Sequence, residues 1–313
     1  MLNYMENKSI AILIPCLNEE LTIEKVIGDF KRHLPDASVV VYDNGSSDNT
    51  AKRAGEAGAR VIYEPQRGKG NVVRNMFEHI DADIYVLVDG DDTYPAEEVI
   101  KLISPVAQGN ADLVIGDRLS SSYFSENKRP FHNSGNRLVR SLVNYLFKRK
   151  LNDIMSGYRV LSRRFVKNFP VMSTGFEIET EMTVFALERH FKIIEEPVAY
   201  RDRPDGSKSK LNTISDGARV LKTILMLFRD YRPFSFFSIL ALLTACTSMV
   251  LLIPVLIEYW QTGFVPRFPT LIVACFILLV GILLFFVGLL LDVIKRNNDR
   301  TYHLIRDIQK IAN

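Results

Sequence analysis

Long stretches of this 313-residue sequence lack charged side chains, and their length bears on where the protein resides. No Asp, Glu, Lys or Arg occurs from Phe234 to Ile257, and the same is true from Phe268 to Leu291. Each stretch exceeds the roughly 20 residues that a helix needs to cross a bilayer core. Two buried core helices without a charged face would be unusual in a domain of this size. We therefore predict two transmembrane helices, at about 234–258 and 268–291.

Cysteine is scarce, and neither charge sign is in large excess. Cys16, Cys246 and Cys275 are far apart, and two of them fall in the charge-free stretches. Because they have neither the spacing of a zinc site nor the context of a disulfide framework, we interpret them as small apolar residues. The net charge of +3 is too mild to predict a nucleic-acid partner.

Basic residues flank the two predicted spans unevenly. The connection between the spans carries a single basic residue, Arg267. The outer flanks carry Lys208, Lys210, Arg219, Lys222, Arg229, Arg232, Lys295, Arg296 and Arg300. By the positive-inside tendency, both termini should face the cytoplasm. The first residues show no signal-peptide pattern, so we expect an integral protein of the plasma membrane whose large N-terminal part is cytoplasmic.

The first 200 residues alternate between short apolar runs and polar, periodic segments. Five runs rich in Val and Ile are predicted strands: IAILIPC, SVVVYD, RVIYEP, IYVLVDGD and ADLVIGD. Strands that are apolar throughout are typical of a parallel sheet covered by helices on both faces. We therefore predict a doubly wound α/β domain over residues 1–211, in which ligands bind beyond the carboxyl ends of the strands.

A mixed apolar and basic segment separates this domain from the first span. Residues 212–232 alternate aliphatic side chains with Arg and Lys, which predicts an amphipathic helix at the membrane surface. A helix packed on the α/β domain is the alternative. Residues 293–313, a predicted cytoplasmic tail, carry a weaker version of the same pattern.

Acidic side chains gather at the ends of the predicted strands. Asp89, Asp91 and Asp92 stand within four positions after the fourth strand. Aspartate is common wherever strands turn into helices, but carboxylates this close repel one another unless a positive group lies among them. Mg²⁺ or Mn²⁺ is held by a few carboxylates together with substrate phosphates. We therefore predict that a divalent cation is held at Asp89 and Asp91, with Asp92 as a further candidate.

Seven short motifs occur in order along the chain. They are Pro15-x-x-Asn18-Glu19, Asp43-x-Gly45-Ser46-x-Asp48, Arg67-Gly68-Lys69-Gly70, Asp89-Gly90-Asp91, Asp153-x-x-Ser156-Gly157-Tyr158-Arg159, Gly175 to Glu179, and Arg203 to Lys210. This series resembles the signatures of family 2 glycosyltransferases with the GT-A fold. More closely, it resembles the polyprenyl-phosphate group, which includes dolichol-phosphate-mannose synthases and bactoprenol glucosyltransferases. The resemblance covers nearly the whole chain.

The resemblance implies a nucleotide-sugar site at the strand ends. Its residues would be Pro15, Asn18, Glu19, Asp43, Gly45, Ser46, Lys69 and Asp89. Asp89 would face the nucleotide or the sugar, and Asp91 would bind the metal between the donor phosphates. Phe176 and Glu177 would line the sugar pocket, although a buried aromatic is the simpler interpretation of Phe176. Many relatives carry Gln where this chain has Thr93, and this departure leaves the coordination of the metal open.

The resemblance also implies basic residues that bind phosphate. Arg118 and Arg129 resemble the pair that receives the phosphate of the acceptor lipid, and with Asp89 and Asp91 they would be the catalytic residues. A guanidinium suits this task because its planar fork grips phosphate oxygens bidentately. Surface salt bridges are the alternative for both arginines. Arg203 and Lys210 would reach the donor diphosphate or the acceptor phosphate. For Lys210 the alternative is attraction to anionic headgroups.

The implied activity is inverting, metal-dependent transfer of one sugar at the cytoplasmic membrane face. The donor would be UDP-glucose, UDP-N-acetylhexosamine or GDP-mannose, and the acceptor undecaprenyl or dolichyl phosphate. Two-span relatives suggest a homo-oligomer, specifically a tetramer. Since a lipid phosphate is already anionic, no strong base is needed, and all five histidines lie outside the motifs. The alternatives are a polysaccharide-extending GT-A transferase, whose Q-x-x-R-W-like element is not found, and a non-catalytic membrane protein that binds nucleotide sugars.

Overall fold

The computed structural model describes residues 8–120, 130–203, 222 and 225–312. Arg129, Lys210 and most of the predicted amphipathic segment lie outside these residues. The chain consists of two compact units, Met1–Gly217 and Ala218–Asn313.

A mostly parallel sheet of seven described strands forms the centre of the first unit. Its strands are β1 (Ile10–Cys16), β2 (Ser38–Asp43), β3 (Arg60–Tyr63), β4 (Ile84–Leu87), β5 (Leu113–Asp117), β6 (Arg159–Ser162) and β7 (Ile193–Pro197). Their order is β3-β2-β1-β4-β6-β5-β7. Of these strands, β6 runs antiparallel to its neighbours β4 and β5. The predicted α/β class with a mostly parallel sheet is confirmed.

The five predicted strands correspond to β1 through β5, whereas β6 and β7 were not predicted. β6 has only four residues and directly follows a polar, glycine-containing motif. β7 carries Glu195 and Glu196 at its centre and is only half-buried, because it forms an edge of the sheet. Neither strand therefore shows the long apolar run from which the others were predicted.

Helices cover both faces of the sheet. They are α1 (Ile23–His33), α2 (Thr50–Glu56), α3 (Lys69–His79), α4 (Val99–Ala107), α5 (Pro130–Phe147), α6 (Arg163–Asn168) and α7 (Ile178–Glu188). Side chains of β1 alternate between two cores: Ile12 and Ile14 join the core that includes α1 and α4, and Leu13 joins the core that includes α3 and α7. This alternation follows from the two-residue period of a strand. Burial on both faces explains why the strands are apolar throughout.

The second unit contains two long helices, α8 (Pro233–Thr262) and α9 (Phe268–Ala312). Both are long and apolar enough to cross a membrane. Helix α8 is terminated by Gly263, which has a φ of 74° that glycine readily adopts. The N–H of Gly263 donates to the carbonyl of Tyr259 at 2.8 Å. These helices form the candidate membrane hairpin that the charge-free stretches predicted.

Small residues bring the two helices of the hairpin close together. A Cβ atom placed on Gly281 would lie 2.6 Å from Oγ1 of Thr244, so only glycine fits there. The hydroxyl of Ser248 donates to the carbonyl of Ala274 across the pair at 2.8 Å. Close approach at small residues and hydrogen bonds between helices are typical of membrane helix pairs.

Helix α9 continues beyond Leu291, the predicted end of the second span, without interruption to Ala312. No Pro or Gly occurs in residues 292–312, so nothing in the sequence breaks the helix there. The predicted tail is thus a continuation of the second apolar helix. Of the segment predicted to be amphipathic, residues 225–231 are described and are helical.

Candidate active site

The strand-end motifs meet at one edge of the sheet, the one formed by the carboxyl ends of the parallel strands. They meet there because β1, β2, β4 and β5 all run in the same direction. Hydrogen bonds join the loops that follow β1 and β2. The N–H of Asn18 donates to Oγ of Ser46 at 2.9 Å, and Oδ1 of Asn18 accepts from the N–H of Ser47 at 2.8 Å. Asp43 is buried at the end of β2 and accepts from the N–H of Ser46 at 3.1 Å.

Three more residues predicted to bind the nucleotide lie at the end of β1 or in the loops that follow β1 and β2. Pro15 is half-buried near the end of β1, opposite Tyr42 of β2. The backbone N–H of Glu19 donates to Oγ1 of Thr50 at 2.8 Å. Gly45 has a φ of 78°, and its carbonyl accepts from Arg67 at 2.8 Å. The structure therefore groups these residues at one end of the sheet edge.

Two glycines of the Arg67–Gly70 motif allow a second loop to approach. A Cβ atom on Gly68 would lie 2.1 Å from the carbonyl oxygen of Thr174, and one on Gly70 would lie 2.2 Å from that of Ser173. The loop that follows carries Phe176, which is 47% exposed, and the half-buried Glu177. The interpretation of Phe176 as a buried aromatic is therefore wrong.

Asp89 follows β4 and is held by a buried lysine. Nζ of Lys69, at the start of α3, lies 2.5 Å from Oδ1 of Asp89 and 2.5 Å from Oε1 of Glu179 on α7. On the other side of the carboxylate, Gly157 packs so closely that a Cβ atom there would lie 2.3 Å from Oδ2 of Asp89. The Asp89 carboxylate is thus fixed by three different parts of the fold.

The charges of this cluster stabilise one another. Burial alone would lower the pKa of Lys69, but the Asp89 and Glu179 carboxylates outweigh it and raise that pKa. Burial alone would raise the pKa of Asp89, but the Lys69 ammonium, together with the guanidinium groups of Arg203 and Arg118, outweighs this effect and lowers that pKa. Both groups are therefore charged at neutral pH.

Asp91 is buried, and one of its carboxylate oxygens forms an ion pair with an arginine. Nη2 of Arg203 lies 2.5 Å from Oδ2 of Asp91. Oδ1 accepts from the hydroxyl of Thr93 at 2.7 Å and from its N–H at 3.3 Å. Thr93, which stands where many relatives carry Gln, is 1% exposed and orients the Asp91 carboxylate.

Asp92 forms its ion pair with a different basic residue from the one that contacts Asp91. Its φ of 57° is unusual for a residue other than glycine, and Oδ1 lies 2.8 Å from Nζ of Lys25 on α1. Each of the three clustered aspartates is thus paired with its own basic residue: Asp89 with Lys69, Asp91 with Arg203 and Asp92 with Lys25. These cations explain how the chain tolerates three carboxylates in four positions.

The contacts of Asp91 are compatible with a divalent cation. Within the described part of the chain, no three His, Cys, Asp or Glu side chains converge as a metal cage. Mg²⁺, however, commonly uses one or two carboxylates and completes its coordination with substrate phosphates and water. Oδ2 of Asp91 already contacts one positive group, the Arg203 guanidinium. The Asp89 and Asp92 carboxylates are engaged by lysines on other elements.

Arg118 follows β5 and is paired with the first residue of the Asp153–Arg159 motif. Its Nε lies 2.7 Å from Oδ2 of Asp153, and its Nη2 lies 3.0 Å from Oδ1. The guanidinium also stacks 5.7 Å from the ring centroid of Tyr200. Arg118 therefore does form a salt bridge, as the alternative interpretation predicted. Its partner, Asp153, is buried and does not lie on the surface.

The last residue of that motif, Arg159, is fully buried and binds the loop before it. Its guanidinium donates to the carbonyls of Ser156 and Ile154, at 2.8 and 2.7 Å, and to Oγ1 of Thr183 at 2.9 Å. Burial lowers the pKa of Arg159 to about 10, which still leaves it charged at neutral pH. Arg159 therefore fixes the backbone that connects Asp153 to Gly157.

Sequence reasoning placed Glu179 in a family motif without giving it a role, and it did not foresee what Arg159 contacts. Glu179 lies on α7 in a run whose other members are mostly apolar and buried, including Ile178, Met182 and Phe185. An acid on the apolar face of a helix is the signal that would have identified it, because buried carboxylates need a cation. Arg159 belongs to a recognised motif, but only the fold reveals its three carbonyl and hydroxyl partners.

Comparison with known proteins decides the family. Residues 11–169 match the model of "Glycosyl transferase family 2". The chain belongs to glycosyl transferase family 2. The predicted family is confirmed, and with it the resemblance to the polyprenyl-phosphate group, which the names of several relatives share.

Two curated relatives of this glycosyltransferase come from Haloferax volcanii. Glycosyltransferase AglJ is 33% identical over 287 residues, which cover 91% of this chain and 93% of AglJ. A dolichyl-phosphate hexose transferase is 29% identical over 224 residues, which cover 71% of this chain and 95% of the relative.

A solved structure supports the GT-A fold. Glucosyl-3-phosphoglycerate synthase from Mycobacterium tuberculosis, crystallised with Mn²⁺, UDP-glucose and phosphoglyceric acid, superposes with a TM-score of 0.57 at 26% identity. The match covers 72% of this chain and 80% of that one. The predicted fold is thereby confirmed for the catalytic unit of this family 2 glycosyltransferase.

Proposed function

We propose that this glycosyltransferase moves one sugar, with inversion, from a nucleotide-diphospho-sugar to a polyprenyl phosphate at the cytoplasmic face of the membrane. One observation carries the proposal. The acidic residues Asp89 and Asp91 and the basic residue Arg118 follow parallel strands of one sheet edge, in a chain that also has two membrane-length apolar helices. A soluble acceptor would not require such helices.

The donor would lie along the edge formed by β1, β2 and β4. Asp43 and Glu19 would accept hydrogen bonds from the nucleoside, and Pro15 would pack against it. Asp89 would accept from a hydroxyl of the ribose or the sugar. Phe176 is exposed enough to contact a sugar ring, and Glu177 lies beside it. The related synthase that was crystallised with UDP-glucose supports a nucleotide-sugar donor.

Asp91 would hold a divalent cation against the donor diphosphate. Mn²⁺ in the related synthase structure supports this proposal. A bound Mg²⁺ or Mn²⁺ would neutralise charge on the departing nucleoside diphosphate. Thr93 would orient Asp91 for this task, and Arg203 would move from Asp91 to the diphosphate oxygens, to which a guanidinium binds well.

The acceptor phosphate would bind near Arg118. A phosphate oxygen would attack C1 of the sugar as the bond from C1 to the donor diphosphate breaks, and the electron pair would leave with the nucleoside diphosphate. The nucleophile is already anionic, so catalysis would rest on positioning and on charge stabilisation. Arg129 and Lys210 are proposed to assist with phosphate binding, but both lie outside the described residues.

The name of the dolichyl-phosphate hexose transferase supports a lipid phosphate acceptor. The two apolar helices would anchor the enzyme beside such a lipid, with both termini in the cytoplasm. A homo-oligomer is proposed from the resemblance to two-span relatives.

The proposal is tested with full-length protein purified in mild detergent. The protein is incubated with undecaprenyl phosphate or dolichyl phosphate, Mg²⁺ or Mn²⁺, and a panel of UDP- and GDP-sugars offered singly. Products are identified by mass spectrometry. Parallel reactions contain EDTA, replace the lipid by 3-phosphoglycerate, or use an Asp91→Asn variant.

A glycolipid formed from one donor and lost with EDTA is the expected result. Transfer to 3-phosphoglycerate but not to lipid would overturn the acceptor assignment and favour a soluble phosphate acceptor. Donor binding without turnover on any acceptor would favour a non-catalytic protein.

A further inference from the structure

Lys69 was predicted to bind the nucleotide sugar, yet its ammonium lies between two carboxylates and its side chain is only 8% exposed. We propose that Lys69 and Glu179 are positioning residues that fix Asp89 as a hydrogen-bond acceptor for a hydroxyl group of the donor. This inference rests on the proposed function only in that the ligand is a nucleotide sugar. It does not depend on the acceptor.

The cluster joins three elements that are distant in sequence. Lys69 begins α3, Asp89 follows β4, and Glu179 lies in the first turn of α7. The loop before α7 is itself seated on the start of α3, because the N–H of Gly70 donates to the carbonyl of Thr174 at 3.1 Å. Lys69 and Glu179 therefore have little freedom to move relative to each other.

Only one member of the cluster reaches the site surface. The Asp89 side chain is 29% exposed, whereas those of Lys69 and Glu179 are 8% and 6% exposed. A donor molecule can therefore contact Asp89 but has little access to the other two. Lys69 and Glu179 would act on the donor through Asp89.

The Glu179 carboxylate shares the positive charge of Lys69 and so leaves negative charge on the cluster. A lone lysine on Asp89 would form a neutral pair and would compete with a ligand hydroxyl for the aspartate. Because Glu179 shares the same ammonium, the three groups together carry a net charge of −1, from one cation and two anions. The remaining negative charge favours a hydrogen bond from a neutral hydroxyl donor.

The carboxylate is also fixed in rotation. Lys69 binds Oδ1, and the backbone of Gly157 lies against Oδ2. The N–H of Gly157 donates to the hydroxyl of Tyr94 at 3.0 Å, which holds that backbone in place. A preorganised acceptor loses little freedom when the ligand binds, so it contributes more to affinity.

A purely structural role for the ion cluster is the competing explanation, and a double variant separates the two. Replacing both partners of a buried ion pair, here Lys69 and Glu179, by apolar residues of similar volume often preserves stability, whereas removing only one partner leaves an uncompensated buried charge. Lys69→Met combined with Glu179→Leu removes both buried partners and leaves Asp89 in place. It should fold even where Lys69→Met alone does not.

The experiment measures donor affinity of the full-length protein in detergent by calorimetry, without any acceptor. The probes are UDP-glucose, UDP-N-acetylglucosamine and GDP-mannose, each with Mn²⁺, and thermal unfolding is recorded for every variant. The matched control is Lys101→Met with Glu196→Leu, which removes a partly exposed ion pair of 3.6 Å between α4 and β7.

We expect the Lys69/Glu179 double variant to remain folded and to bind the donor about tenfold or more weakly, since a hydrogen bond to a charged group is impaired. The control should bind like the wild type. Wild-type donor affinity in the folded double variant would overturn the inference while leaving the proposed transfer reaction intact. A wild-type protein that binds none of these three donors would overturn both.

Discussion

Asp153 and Arg118 form a two-pronged ion pair in which both carboxylate oxygens receive guanidinium N–H groups, at 2.7 and 3.0 Å. The Asp153 side chain is 2% exposed and that of Arg118 is 12% exposed. The N–H of Asp153 in turn donates to Glu195 of β7 at 2.8 Å, so the aspartate is itself anchored. This chain of contacts fixes the direction of the arginine that is proposed to bind the acceptor phosphate.

Replacing Asp153 by Asn should impair the use of the acceptor. The amide lacks the charge and one of the two acceptor oxygens, so the guanidinium would lose its fixed orientation. We expect the KM for polyprenyl phosphate to rise about tenfold or more, with donor affinity unchanged. Arg118→Lys should give a related defect, because lysine keeps the charge but lacks the planar fork. Steady-state kinetics at varied lipid concentration provide the measurement.

The matched control for this pair is Asp81→Asn, which removes an exposed ion pair with Arg163 at 2.9 Å. Activity and thermal stability should stay unchanged, because exposed pairs contribute little. An unchanged acceptor KM in folded Asp153→Asn protein would contradict the role given to Asp153.

Gly157→Ala should disturb Asp89 directly. The new Cβ atom would lie 2.3 Å from Oδ2 and 3.0 Å from Cγ of Asp89, so the carboxylate must rotate away. We expect donor affinity to fall by about tenfold or more. Gly28→Ala is the control, since a Cβ atom there meets nothing within 4 Å and the residue lies inside α1. The control should retain activity and gain about 0.5–1 kcal/mol of stability. Donor calorimetry and thermal unfolding of both variants test this prediction.

Asp91→Asn should abolish turnover without unfolding the protein. The amide still accepts from the Thr93 hydroxyl, and Arg203, at 29% side-chain exposure, can be hydrated once its partner is neutral. Loss of the carboxylate should lower kcat by about 100-fold or more, as for other groups that stabilise developing charge. Turnover is measured across Mg²⁺ and Mn²⁺ concentrations. Activity near that of the wild type at any of them would contradict the assignment of Asp91 to the metal.

The sequence was sufficient to predict where the site lies, because that depends on local patterns. Each apolar strand is followed by an acid, and parallel strands must bring those acids to one edge, as Asp43, Asp89 and Asp117 show. The two apolar helices were equally evident, because absence of charge over 20 or so residues is a local property. The family motifs supplied the roles.

The partners within the site could not be predicted, because they depend on contacts between distant segments. Glu179 follows Lys69 by 110 residues in the chain, and only the packing of α7 against the start of α3 brings them together. Likewise, the antiparallel insertion of β6 between β4 and β5 places Gly157 behind Asp89. No pattern around either residue specifies these pairings.

The pH dependence of stability tests whether Asp89 is ionised through its contact with Lys69. Burial raises the pKa of Asp89, but the Lys69 ammonium, with smaller contributions from Arg203 and Arg118, outweighs this and lowers it below the unfolded value of about 3.9. The stabilisation is therefore fully present above about pH 4 and is lost as the pH falls through the lower folded pKa. Asn resembles a protonated Asp, so thermal midpoints of wild type and Asp89→Asn should differ by a constant amount at pH 5 to 8, and this difference should shrink as the pH falls below about 4. A difference that stayed constant down to pH 3 would show that the ammonium does not stabilise the Asp89 carboxylate.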